Sequence, residues 1–319
     1  MAELPLLAVP NFSDGRDPAV IEALERALLG PEPGAGRGHD ADSGTRLRLL
    51  DAHSDSDHNR TVFTLAGPGS ELVDALIRAA AVAVQEIDVM GPGGDGHPHA
   101  GQHPHVGALD VAPVVFTEPA LRGPACAVAL VLADRIAEQL AIPVFLYGDL
   151  TASDGHPART RAELRRGGVA GLAGRMSAAN GRLAPDFGPS RLHPTAGATL
   201  VAAREPLVAF NLLLSPEADL DRARLVASSV REGGDRGLPG VRAMAVLLKG
   251  KGAQVSLNVE RPLEIPLAEV VEAVRSQAPV ASAELVGLAP RAALEGFPED
   301  VPLQDFDPRR HLLENALRS

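Results

Sequence analysis

The stretch LVAFNLLL, Leu207 to Leu214, decides how the second half of this chain is read. Its apolar residues are almost continuous and the run is short, which fits a buried strand rather than a helix. Ser215-Pro216-Glu217 follows at once and has the pattern of a capped helix start. Beyond it, Val241 to Lys249 and Ala253 to Glu260 read as strands on either side of Gly250-Lys251-Gly252, a hairpin-like turn. A helix over about Leu267 to Gln277 and a strand over Ala283 to Leu288 complete a βαββαβ order.

The same order recurs toward the N-terminus. Leu4 to Ala8 reads as a short buried strand, and Asp17-Pro18 opens a helix, with a capping carboxylate and proline at its first position, that ends at Gly30. Pro31 to Gly44 is rich in Gly and Pro and is expected to be mobile. Strands at about Arg46 to Ala52 and Arg60 to Ala66 follow, then a helix from about Glu71 to Ile87, a His-rich loop and a strand at Ala108 to Phe116. A helix over about Ala120 to Leu140 and a strand over Pro143 to Gly148 extend this half. The expected fold class is α+β, with two βαββαβ (ferredoxin-like) subdomains, residues 1–204 and 205–319. Each is a sheet covered by helices, and a ligand groove is expected between them. The joining segment, Pro185 to Gly197, is too rich in Pro and Gly for a helix and lacks the character of a free linker. It reads as a rigid loop with a function.

Composition narrows the function. The chain has 319 residues, 45% of them hydrophobic, enough for a substantial core in two modest domains. A net charge of -11 and 3% aromatic residues supply neither a basic field nor stacking platforms, so nucleic acid is not an expected partner. Cys126, inside the apolar run ACAVAL, reads as a small hydrophobe rather than a nucleophile, and one thiol forms no internal disulfide. The start, MAELPLLAVPNF, has no basic leader, and no run approaches the roughly 18 apolar residues of a membrane span. A cytoplasmic protein without a membrane partner is the expectation.

Four of the ten histidines fall in GHPHAGQHPHV, Gly96 to Val106. Imidazoles one residue apart, His97 with His99 and His103 with His105, suit a metal such as zinc, nickel or copper. No cysteine lies nearby, however, each pair encloses a proline, and the spacing matches no established zinc pattern. A solvated loop and a single catalytic histidine among bystanders are the other two readings, the last favoured by an ordinary pKa near neutrality. A second polar cluster, Asp51 to Thr61, holds His53, His58 and Arg60, and reads either as a charged-substrate site or as a turn of solvated acids. Asn11 to Arg16 has the look of a turn that exposes backbone N–H groups. The residues by themselves lead to a proton-transfer enzyme acting on a polar, partly anionic substrate.

A set of longer motifs resembles the glutamate formimidoyltransferases, or formiminotransferases, which also form the transferase part of formiminotransferase-cyclodeaminase. They include VPNFSDGRD (Val9 to Asp17), HNRTVFTLAG (His58 to Gly67), HPHVGALDV (His103 to Val111), PVFLYGD (Pro143 to Asp149) and PDFGPSRLHPTAGAT (Pro185 to Thr199). LVAFNLLL, GLPGVRAM (Gly237 to Met244), QVSLNV (Gln254 to Val259) and ELVGLAP (Glu284 to Pro290) continue the series in the same order.

The resemblance implies transfer of the formimino group of N-formimino-L-glutamate to N5 of tetrahydrofolate in histidine breakdown. It implies His103 as the general acid and base, in an HPxxGALDV motif. It also implies a folate-binding segment made of Gly188, Pro189, Ser190, Arg191, Leu192, His193, Pro194, Thr195, Ala196 and Gly197. Asn11, Asn59, Arg60 and Arg204 are further substrate candidates, the two arginines as anchors for substrate carboxylates. Tetrahydrofolate is the co-substrate and no metal is expected. Two features depart from the family pattern: His105 stands where the family usually has Arg, and Met90 to Gln102 is longer than expected. A folate-dependent transferase with another one-carbon donor, and a non-catalytic folate- or metal-binding relative, are the competing readings. A homodimer and a separate cyclodeaminase receiving the product are further partner expectations.

Overall fold

The structure, a computed structural model, describes residues 5–30, 47–91, 104–152, 158–177 and 183–318. The Pro31 to Gly44 segment, His97, His99 and His103 lie outside the described residues. Backbone contacts divide the chain into two units, Met1–Arg204 and Glu205–Ser319. Each is a mixed α+β unit built on one sheet covered by helices.

In the first unit, β1 (Leu6–Ala8) and β2 (Asn11–Phe12) run as one interrupted strand between β4 (Arg60–Gly67) and β5 (Leu109–Val115), antiparallel to both. β3 (Arg48–Asp55) pairs with the outer side of β4. On the other side, β7 (Thr199–Arg204) lies between β5 and β6 (Val144–Gly148), parallel to both. Alternation along these strands feeds two cores: Val144, Leu146, Val201 and Ala203 join the larger one, while Phe145, Tyr147, Leu200 and Ala202 join the smaller. Helices α1 (Pro18–Leu29), α2 (Gly69–Glu86) and α3 (Arg122–Leu140) supply the larger core. The α1 start is as the sequence indicates: the Asp17 side chain accepts from the Ala19 N–H, Pro18 is the first residue, and Gly30 follows the end.

Besides β2, which the sequence reads as part of a turn, three elements of this unit have no counterpart in the sequence analysis. β7, just beyond the joining segment Pro185 to Gly197, has no assignment from the sequence, and two short helices, α4 (Arg161–Arg165) and α5 (Gly168–Ser177), cover the smaller core with Leu164, Leu172 and Met176. The signal for α4 was present: Thr160 and Glu163 form a complete capping box.

The second unit orders its sheet β12 (Leu303–Gln304), β11 (Val280–Val286), β8 (Val208–Leu214), β10 (Gly252–Val259), β9 (Val241–Leu248). Its core comes from one face of those strands together with α6 (Leu220–Val230) and α7 (Leu267–Arg275). The helix expected to start at Ser215-Pro216-Glu217 begins later. Ser215 to Ala218 closes a turn, with the Ala218 N–H on the Ser215 carbonyl at 2.9 Å, and Asp219 is the cap, accepting from the Arg222 N–H at 2.7 Å. A backbone turn took the place of the helical one. Among the described residues, no helix is long and apolar enough to cross a membrane.

Candidate active site

β5 carries a lone charge in an otherwise apolar strand, LDVAPVV, every residue of which is buried. Asp110 is fully buried, and a carboxylate there needs cationic or N–H partners. Its Oδ1 accepts from the Val106 N–H at 2.9 Å. Its Oδ2 accepts from Arg60 Nη2 at 2.9 Å and from Arg165 Nη2. Burial pushes the Asp110 pKa up, but Arg165, Arg60, nearby His105 and the Val106 N–H together hold it below the ordinary carboxylate value. Arg60 is lowered to about 9 by burial and by repulsion from Arg165 and Arg161, with Asp110 opposing. It therefore remains a cation at neutral pH.

The three partners come from distant parts of the chain. Arg60 opens β4, beside the end of β2, and Arg165 closes α4. The thiol of Cys126 is elsewhere, on α3, with its pKa raised chiefly by burial, which disfavours a nucleophilic thiolate.

The segment leading out of His103 is clamped to the joining loop. The Ala108 N–H donates to the Ala196 carbonyl at 3.0 Å and the Ala198 N–H to the Val106 carbonyl at 2.9 Å, with Gly107 bridged to Gly197 between them. The approach is so close that a Cβ on Gly107 would stand 1.8 Å from the Ala198 carbonyl oxygen. The Ser13 hydroxyl donates to the Gly107 carbonyl at 2.7 Å and fixes the other side. The far end of the joining loop is tied to the sheet edge, where the Val144 N–H donates to the Phe187 carbonyl at 2.9 Å.

Within the loop, His193 has a structural task. Its Nδ1 accepts from the Ala196 N–H at 3.0 Å, and burial lowers its pKa, so the neutral ring that makes this bond is favoured. Gly188, Ser190, Arg191 and Pro194 are exposed, Pro189, Leu192, His193 and Thr195 half-buried, and Ala196 and Gly197 buried. Gly188 and Gly197 have φ of +85° and +68°, and a Cβ on either would meet a backbone oxygen at 2.8 or 2.4 Å. The fold itself requires glycine at these two positions.

Of the four other substrate candidates, the structure groups three. Arg60 Nη1 lies 3.5 Å from Asn11 Oδ1, and Asn59, next to Arg60, accepts from the Gly15 N–H at 3.0 Å. Arg204 is placed apart. It pairs with Val115 at the far end of β5, five strand positions beyond Thr199, or about 16 Å along the strand. Arg60 and Arg204 therefore stand toward opposite ends of β5.

The expectation of exposed N–H groups over Asn11 to Arg16 is corrected. Asn11 and Phe12 are strand residues, the Gly15 N–H goes to Asn59, and the Arg16 and Asp17 N–H groups donate to Asp14 Oδ1. A cleft of about 300 Å³ beside this turn is lined by Asp14, Asp17 and Glu86 together with Arg16 and the candidate Asn59. Asp110 and Arg165 had no role in the sequence reading. For Asp110 the available signal was a single charge inside an apolar strand. Among the described residues, no group of three or more His, Cys, Asp or Glu side chains is arranged to hold a metal.

Comparison with known proteins gives this scaffold a class. Residues 6–204 match the formiminotransferase domain, N-terminal subdomain. A glutamate formimidoyltransferase of Streptococcus pyogenes serotype M1 is 34% identical over 317 residues, covering 97% of each chain. Another, from Thermoplasma acidophilum, is 31% identical over 294 residues, 90% of this chain and 88% of that one. The formimidoyltransferase-cyclodeaminase of Sus scrofa is 35% identical over 299 residues, 90% of this chain and 50% of the longer protein. The chain belongs to the glutamate formimidoyltransferase family.

Proposed function

We propose that this chain is a glutamate formimidoyltransferase that moves the formimino group of N-formimino-L-glutamate to N5 of tetrahydrofolate, with His103 as general base and then general acid. Likeness over 97% of a transferase of the same length supports the activity. The observation that carries the assignment of residues is the backbone clamp joining Val106–Ala108 to Ala196–Ala198. It makes the strand entry behind His103 and the proposed folate segment, Gly188 to Gly197, one continuous structure.

In the reaction, N5 attacks the amidine carbon and a C–N bond forms. His103 takes the N5 proton and returns a proton to the glutamate nitrogen as the old C–N bond breaks, so atoms and charge balance without an electron carrier. Tetrahydrofolate acts as co-substrate, with no resident metal in this scheme. Asn11, Asn59 and Arg60 serve one substrate group, and Arg204, toward the opposite strand end, serves another. Met1–Arg204 and Glu205–Ser319 are the transferase's two subdomains. Their shared strand order, fourth-first-third-second along each βαββαβ core, supports a ferredoxin-like reading of both.

The test is an assay of purified protein with formiminoglutamate and tetrahydrofolate, following 5-formiminotetrahydrofolate. His103→Ala is expected to lower turnover by roughly 100-fold or more with folate binding retained. Near-normal turnover in that variant, together with a large loss in His97→Ala, would move the catalytic role to His97.

A further inference from the structure

Two guanidinium groups converge on one carboxylate oxygen. Arg60, from β4, and Arg165, from α4, both donate to Asp110 Oδ2, while Oδ1 is occupied by the Val106 N–H. One negative charge therefore faces two positive ones, and Arg161, on the same short helix as Arg165, adds to the positive field at Arg60. The Arg165 side chain is only 4% exposed, and its buried Nε–H has no acceptor among the described residues. A guanidinium carries five N–H donors, and leaving one buried and unsatisfied is unfavourable. Asp110 holds the group in place without reaching that donor. A planar anion that reached the pair would supply both an acceptor and negative charge.

We infer that Arg165, with Arg60 beside it, is a binding residue for a substrate carboxylate, and that Asp110 holds the pair in position. This rests on the transferase reading only for the choice of anion: both substrates of that reaction bring carboxylates. The carboxylate has two sources, the glutamate part of the donor and the glutamate tail of the folate.

Two measurements test the inference. Arg165→Lys keeps the charge but loses the planar fork, and Arg165→Met loses both. In Arg165→Lys the KM for one co-substrate is expected to rise about 10-fold, with kcat changed less than about threefold, the pattern of lost ground-state binding. A rise for formiminoglutamate, with weaker binding of L-glutamate by calorimetry, assigns the donor. A rise for tetrahydrofolate, absent for an analogue lacking the glutamate tail, assigns the folate.

The second measurement needs no variant and so remains decisive should neither variant fold. The side-chain Nε–H resonance of Arg165 in the unmodified chain is followed by NMR during titration with L-glutamate and, separately, tetrahydrofolate. It should shift with one of them. Saturation by both ligands without movement of that resonance, or unchanged KM values for both co-substrates in folded Arg165→Lys, would overturn the inference. Because the titrations involve no turnover, they read the carboxylate site even if formimino transfer itself is not observed.

Discussion

The two units share a strand order but treat buried polarity in opposite ways. The first encloses an ionic cluster in its sheet: Asp110 and Arg165 are buried, with Arg60 beside them. In the second, the buried polar residues described are the neutral amides Asn211 and Gln254, while its ion pairs, such as Arg275–Asp300 and Arg242–Glu232, lie toward solvent. Removing charges from water costs several kcal/mol each, and an apolar replacement is often at least as stable. Stability alone therefore does not account for the Asp110 cluster. The contrast places the buried ionic cluster in the first unit and leaves the second, at the level of its core, as apolar packing with neutral amides.

The largest effect on this contrast is expected from Asp110→Ala. Removing the anion strands two guanidinium groups and should destabilise the first unit by about 3–5 kcal/mol, measured by urea unfolding with a probe in each unit. A loss below about 1 kcal/mol would abolish the distinction. The same residue predicts an acid limb. Because its folded pKa is lowered, its contribution is present above the ordinary carboxylate value near pH 4 and is lost as pH falls toward the folded value. Asp110→Ala should flatten that limb.

Gly107→Ala comes next, because its Cβ would meet a backbone oxygen rather than a movable side chain. A cost of about 1–3 kcal/mol is expected, accompanied by loss of activity as the clamp to the joining loop opens. Full activity at unchanged stability would show that the clamp is not needed to support the site. In the second unit, Asp219→Ala removes a helix cap and should cost about 1 kcal/mol, visible as a lower urea midpoint with kcat unchanged. Smallest of all, Asp300→Ala should leave the midpoint unchanged within error. A clear drop there would mean that a solvent-exposed pair supports the second unit after all.

Substitution of His105 sharpens the comparison from another side. This residue stands where the family resemblance expects Arg, and it lies close enough to Asp110 for a positive charge there to lower that carboxylate's pKa. His105→Arg adds a permanent third cation to a carboxylate already shared by two. A fall in formiminoglutamate KM would mean that local positive charge limits donor binding. An unchanged KM would mean that Arg60 and Arg165 already suffice.

The sequence by itself determined the local elements. Apolar runs, the Asp17-Pro18 start and the Gly250-Lys251-Gly252 turn are signals carried by neighbouring residues, and the βαββαβ order in both halves followed from them. The long motifs also placed His103 and Gly188 to Gly197 in a family context. Where a boundary failed, as at Ser215, two local solutions competed, and a backbone turn displaced the expected cap. Only the tertiary structure inserted β7 between β5 and β6, brought Arg165 onto Asp110, and separated Arg204 from Arg60 by the length of a strand. The reason is physical: periodicity and capping depend on residues within a few positions of each other. Strand order and the pairing of a buried charge are settled by contacts across the chain, here between positions 60, 110 and 165, once the sheet has assembled.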